Sequence, residues 1–234
     1  MSRPLLCVAV AALLLAVSPS ARALDTGAAV DAGRKTVETF FGAPFPRPFE
    51  THVFVSRAEL DLFAANRWKM PHTQCWMVAM GVGPAFVLLD PDDWKAEACE
   101  HDAGDAAHVR ALVAHELVHV YHGQNNPRPE FDGLDDMAWL IEGLAVHASG
   151  QLDAARLAQA RAALAKDGPP KSLASAWTGN AAYGTCGTMA AFVEKRWGRA
   201  MLKKLMRATS NAEALKLLGM TEAQFLDAWA RSLG

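Results

Sequence analysis

Two periods run through the apolar positions of this chain. Short β-prone runs dominate before residue 90, and 3.6-residue periodicity dominates after residue 105. Asp25 to Phe41 opens with Val30, Val37, Phe40 and Phe41 at loose helical spacing, and the run from Gly42 to Pro48 ends that helix. Thr51 to Ser56 reads as a strand, and Ala58 to Trp68 as a helix with Leu60, Phe63 and Ala64 on one side. Cys75 to Met80 and Ala85 to Leu89 read as two more strands around a Gly81-Val82-Gly83-Pro84 turn, giving a small antiparallel sheet.

Beyond Asp105 the expected helices have recognisable ends. The first spans Ala106 to His122 and stops at Gly123; a Pro- and Gly-bearing loop covers Gln124 to Leu134. Asp135 or Asp136 caps the second, which runs to Ser149 before Gly150, and the third spans Ala154 to Lys166 before Gly168-Pro169-Pro170. Helical periodicity continues over Ala181 to Trp197, Arg199 to Thr209, Ala212 to Leu218 and Thr221 to Leu233. The pattern predicts an α+β fold, a small antiparallel-rich N-terminal sheet feeding a mainly helical C-terminal half, without internal repeat or flexible linker.

The first residues change the picture of compartment. Met1-Ser2-Arg3-Pro4 is a short basic start, Leu5 to Val17 is an apolar run, and Ala21-Arg22-Ala23 is a small-x-small cleavage triplet. The apolar run falls short of the roughly 20 residues that span a bilayer. The expectation is a signal peptide over 1–23, a mature chain from Leu24, and a secreted or periplasmic protein without a membrane anchor. The remaining 211 of 234 residues suit one domain. Losing two of the 23 basic residues against 25 acidic ones leaves the mature chain at −4, so no footprint for nucleic acid is expected. Of Cys75, Cys99 and Cys186, any two can form one bridge in such a compartment; Cys75 with Cys99 is the preferred pair because both flank one strand-rich segment.

The chemistry centres on His115-Glu116-Leu117-Val118-His119 in the middle of the first long helix. Residues four apart on a helix differ by about 40° in direction and about 6 Å along the axis, so both imidazoles can share one ion. Zinc is the usual choice for such nitrogen donors. Glu116 is turned about 100° away, which disfavours it as a ligand but leaves its carboxylate positioned to take a proton from the attacking water. The third ligand is expected to be Glu142, an acid inside the apolar stretch Trp139-Leu140-Ile141-Glu142-Gly143-Leu144-Ala145, where a carboxylate is costly unless paired or metal-bound. Gly143 then reads as a point of close approach between the two helices.

His-Glu-x-x-His followed by Trp-Leu-x-Glu-Gly-x-Ala resembles the gluzincin metallopeptidases, the clan of thermolysin-like and aminopeptidase-N-like enzymes. The closer resemblance is to small bacterial single-domain peptidase-MA-like members, echoed by Tyr183-Gly184, Phe192-Val193, Gly198, Phe225 and Trp229. The resemblance implies a zincin-like fold with an edge strand beside the active-site helix, for which Ala85 to Leu89 is the candidate, and a peptide pairing with its free edge. It also implies that Tyr183 helps stabilise an oxyanion. The Gly-x-Met-Glu-Asn amine-recognition string of the aminopeptidase-N-like enzymes does not occur; Met80-Gly81-Val82-Gly83-Pro84 lacks its carboxylate.

Weaker readings attach elsewhere. His122, two turns from His115 on the same face, and His147, one turn beyond Glu142, read as solvated positions, with a place at the rim of the site as the alternative. His52, His72, His101 and His108 read as surface or core histidines, and Trp177, Trp197 and Trp229 as core. The expected function is a monomeric zinc-dependent peptidase acting on a peptide or protein, with Glu116 as base. The alternatives are a catalytically silent zinc-binding interaction module and a zinc hydrolase of a non-peptide bond.

Overall fold

The structure is a computed structural model, and it describes residues 25–234. The expected signal peptide over 1–23 and its cleavage before Leu24 lie outside the described residues. The chain first forms helix α1 (Thr26–Phe41), started by the Asp25 carboxylate on the Ala28 N–H and ended by Gly42 in left-handed conformation. Its buried stripe is Ala29, Val30, Gly33, Val37 and Phe41, the helical repeat anticipated by the apolar spacing.

Strand β1 (Glu50–Phe54), helix α2 (Arg57–Trp68) and strands β2 (Ala79–Val82) and β3 (Ala85–Leu89) follow, and the strands form one sheet in the order β1-β3-β2. β3 pairs antiparallel with β2 but parallel with β1, from Glu50 opposite Ala85 to Phe54 opposite Leu89. The sheet is therefore mixed, not antiparallel throughout, because the chain crosses over through α2 between β1 and β3, as a parallel neighbour requires. All five residues of β3 are buried, which explains its unbroken apolar sequence.

β2 lies later in the chain than its sequence pattern implies: Cys75 to Val78 stand outside it, Gly81 and Val82 inside it, and the turn shrinks to Gly83-Pro84. The cause is the Arg57 guanidinium, which donates to the carbonyl oxygens of Gln74, Cys75 and Met77 at 2.9, 3.0 and 3.0 Å. The Gln74 and Cys75 carbonyls also accept from the Met77 and Cys99 N–H groups at 2.9 and 3.2 Å, so the segment is held as a turn and not as a strand. The disulfide between Cys75 and Cys99 ties the same segment down, and Cys186 is left free and buried.

The helical half comprises α3 (Trp94–Glu97), α4 (Ala106–Asn125), α5 (Ala138–Ala148), α6 (Ala154–Asp167), α7 (Ala182–Trp197), α8 (Arg199–Leu205), α9 (Asn211–Leu218) and α10 (Glu222–Leu233). Asp105 starts α4 by accepting from the Ala107 and His108 N–H groups, both at 3.0 Å. α4 continues past Gly123, where a stop was expected. A Cβ there would lie 2.4 Å from the Pro129 carbonyl oxygen and 2.5 Å from the Gly83 nitrogen, so this glycine permits close packing and does not end the helix. α4 packs against α1, β2 and α5, and α5 packs in turn on α7. Sheet and helices thus contribute to one contiguous core, in which Trp94, Trp139, Trp229, Phe86 and Phe225 are the largest buried side chains. The architecture is mixed α+β, dominated by helices, with one small three-stranded sheet.

Candidate metal centre and its cleft

α4 carries His115 and His119 one turn apart, and α5 brings Glu142 to face them. Nε2 of His119 lies 3.1 Å from Nε2 of His115, and Oε2 of Glu142 lies 3.3 Å from the first imidazole and 3.5 Å from the second. The two histidines are buried and Glu142 is partly so, and together these residues could hold a metal ion. A tetrahedral ion with ligands at about 2.0–2.1 Å places neighbouring donors about 3.3–3.4 Å apart, so the observed triangle fits such an ion.

The hydrogen-bond partner of His115 supports the same reading. Its Nδ1 lies 2.9 Å from Oε1 of buried Gln151, a contact that fixes the ring orientation and turns Nε2 toward Glu142 and His119. Gln151 escaped the sequence reading because it lies in the loop after α5, 36 residues from its partner, and carries no motif. Nδ1 of His119 meets no hydrogen-bond partner among the described residues.

Burial pushes the Glu116 carboxyl up to about 7, and the negative charge of Glu142 adds to this; His115 and the Gly81 N–H act in the opposite direction. Burial also works against ionised Glu142, but His119 and His115 outweigh it and hold that carboxyl well below its usual range. Two carboxylates on neighbouring helices therefore have opposite tendencies, one poised to exchange a proton and one fixed as an anion.

The strand beside α4 is β2, not Ala85 to Leu89 as expected, because β3 occupies the centre of the sheet with β1 and β2 on its two sides. Met80 and Val82 form their ladder with Val87 and Ala85, which leaves the N–H and C=O groups of Ala79 and Gly81 on the free edge. Gly81 fits against α4 only without a side chain: a Cβ would lie 2.0 Å from the Glu116 carbonyl oxygen. Gly143 likewise marks a close approach, although its neighbour is the Cys186 backbone of α7, 2.3 Å from a would-be Cβ, and not α4.

A cavity of about 700 Å³ opens over His115, Glu116, His119 and Glu142, with Trp76, Phe131 and Trp177 among its walls. Tyr183 also lines it, its ring 6.1 Å from that of His115. Burial, then the charges of Glu142 and Glu116, raise the Tyr183 phenol, which keeps it a proton donor. Trp177, expected in the core, instead packs edge-on against Tyr183 at 4.7 Å and faces the cleft, whereas Trp229 is a core residue.

His122 is buried, not solvated, with its ring 5.0 Å from that of Phe131, and burial lowers it to about 3. His147 pairs with Glu194 and lies outside the cleft. His52 pairs with Glu50, and His101 contacts His108 at 3.0 Å. Comparison with protein-family models, curated proteins and solved structures finds no match to the chain.

Proposed function

We propose that the chain is a zinc-dependent peptidase of zincin-like architecture, akin to the gluzincins, exported to a secreted or periplasmic location. The observation that carries this reading is the near-equilateral donor triangle of His115, His119 and Glu142 with Glu116 beside it at the floor of an open cleft. The two imidazoles and the carboxylate would hold the ion, and zinc suits that donor set. When bound, zinc supplies Lewis acidity that polarises a carbonyl and makes water a nucleophile near neutral pH.

The remaining steps belong to the protein's own side chains. Glu116 accepts a proton from the attacking water and returns one to the amine nitrogen as the C–N bond breaks and a C–O bond forms. Burial of Glu116 favours the protonated form once the water proton has been accepted, so that the proton is at hand for the leaving nitrogen. Tyr183, kept protonated, donates a hydrogen bond toward the carbonyl oxygen as charge develops there. Gln151 holds the His115 ring in the orientation that turns Nε2 toward the donor triangle. The edge-facing groups of Ala79 and the Gly81 carbonyl offer main-chain hydrogen bonds to an extended peptide, which adds to the sheet as a further strand.

Zinc content, thermal stabilisation by zinc and cleavage of an unbiased peptide library test this reading, with Glu116→Gln as the reference. The expected result is one zinc per chain in both proteins and cleavage by the wild type alone. Zinc bound without any Glu116-dependent cleavage of peptides would refute it.

A further inference from the structure

A second space adjoins the cleft beside the metal centre. Trp76, Met77, Ala79, His115, Glu116 and Tyr183 line both spaces. The first lobe extends along β2 to Val82 and on to Glu130 and Asp132; the second turns toward the start of β2 and toward His108 near the beginning of α4. Its volume is about 250 Å³. That is slightly below the roughly 300–1,000 Å³ of pockets that enclose a drug-sized ligand, so it accommodates a short end of a chain.

The far wall of this lobe is held in place. His101 contacts the Trp76 carbonyl oxygen through Nε2 at 2.8 Å and His108 through Nδ1 at 3.0 Å, bridging the segment before β2 to α4. The disulfide between Cys75 and Cys99 and the Arg57 guanidinium hold the same segment. A chain entering along β2 therefore meets a braced barrier soon after passing His115.

Strand polarity decides which end of a peptide arrives there. Antiparallel pairing is the more stable and the more frequent arrangement for an added strand. A peptide antiparallel to β2 has its N-terminal part beside Val82 and its C-terminal part beside Ala79 and Trp76. The charges agree with that direction. Arg156 lines the closed lobe, where only its Nη1 is engaged, with the Gln151 carbonyl oxygen at 2.9 Å and Asp153 at 3.9 Å. Nε and Nη2 donate to no protein acceptor among the described residues. Glu100, the acid on this lobe's outer rim, is exposed and acts on His101.

Building on the peptidase reading, we propose that the closed lobe receives the carboxylate-bearing end of a peptide, with Arg156 as its counter-ion, so that the site releases short C-terminal fragments. The carboxylate can be the chain terminus or an acidic side chain at the same place. Arg156 is the specificity determinant, and the wall at His101 sets the length of the fragment.

The test uses peptides identical except for a C-terminal acid or amide, and a third, amide-capped peptide with glutamate as its last residue. Binding to the zinc-loaded Glu116→Gln protein is followed by tryptophan fluorescence, and products of the protein with Glu116 intact are mapped by mass spectrometry. A charge-assisted hydrogen bond predicts about a 10- to 100-fold tighter binding of the acid than of the amide. Arg156→Gln is expected to bring that ratio close to one, and Arg156→Lys to retain part of it. The third peptide identifies the source: tight binding means that a side-chain carboxylate suffices, and weak binding means that the terminus is read.

His101→Ala, which opens the wall without touching Arg156, is expected to lengthen the released fragments even if Arg156→Gln fails to fold. An acid-to-amide ratio of one in the parent protein, a ratio unchanged in Arg156→Gln, or fragment lengths unchanged in His101→Ala overturns the inference. Cleavage of acid and amide alike at internal bonds would overturn it and leave the peptidase reading standing. A retained acid preference without cleavage of any peptide would overturn the peptidase reading and fragment release together, and leave Arg156 only as the binder of a carboxylate.

Discussion

Substituting Gly81 by alanine tests how tightly the edge strand is coupled to the helix that carries the site. Gly81 does not have a left-handed φ, so alanine meets no conformational penalty and the perturbation is steric. Its Cβ would lie 2.0 Å from the Glu116 carbonyl oxygen and 2.8 Å from the carbonyl carbon. Real Cβ atoms essentially never come closer than 3.0 Å to such a neighbour, so β2 and α4 must separate by at least 1.0 Å, the difference between 3.0 and 2.0 Å. The obstacle is backbone, and no rotamer change relieves it. α4 is held by α1 and α5 as well as by β2, so the short edge strand is the partner that moves.

Overpacking of this kind costs about 1–3 kcal/mol. For a chain of this size each kcal/mol lowers the melting temperature by roughly 2–4 °C, which calorimetry resolves. Displacing a substrate-positioning element by about 1 Å reduces catalysis on the order of 100-fold. On the proposed peptidase reading, the expected outcome is therefore a lower melting temperature and about a 100-fold loss of kcat/KM on peptides, with zinc stoichiometry retained because the candidate ligands sit on α4 and α5. A Gly81→Ala protein that melts within about 1 °C of the parent and cleaves peptides at the parental rate would refute the coupling of β2 to the site.

Three further outcomes are expected. Gln151→Leu removes the acceptor for Nδ1 of His115 and should weaken zinc binding about 10- to 100-fold in a chelator competition, with helical content unchanged. Burial works against ionised Glu194, but hydrogen bonds from His147 and Arg199 outweigh it and leave its pKa below 4.5. A folded-state pKa below the unfolded one gives stability that is present above about 4.5 and lost as pH falls through the folded value; Glu194→Gln should therefore lower stability at pH 7 and flatten its acid dependence, as urea titrations at several pH values would show. Replacing Cys75 and Cys99 by serine should lower stability by about 3 kcal/mol in denaturant unfolding and loosen the Trp76 wall, read as faster amide exchange over residues 74–78.

Much of the site was legible because it depends on local periodicity. The four-residue spacing of His115 and His119 fixes their common direction on any helix, and Glu142 stands out as an acid in an apolar stretch. The α+β composition and the positions of the longer helices follow from runs of 3.6-residue spacing in the same way. Readings failed where a partner distant in sequence decided the outcome. Arg57 takes the carbonyls of the segment before β2 and displaces the strand, and the crossover through α2 makes the sheet mixed. Gly123 reads as a helix end until Pro129 and Gly83 are seen to crowd it.

By itself, then, the sequence determined which side chains share a helical face and which acid sits among apolar neighbours, since both are properties of a few consecutive turns. Only the tertiary structure decided that β2 has the free edge, that Gln151 orients His115, that His122 is buried, and that Arg156 faces a closed lobe. Each of these depends on where separate elements come to rest against one another, and packing between elements is not encoded in the period of any one of them.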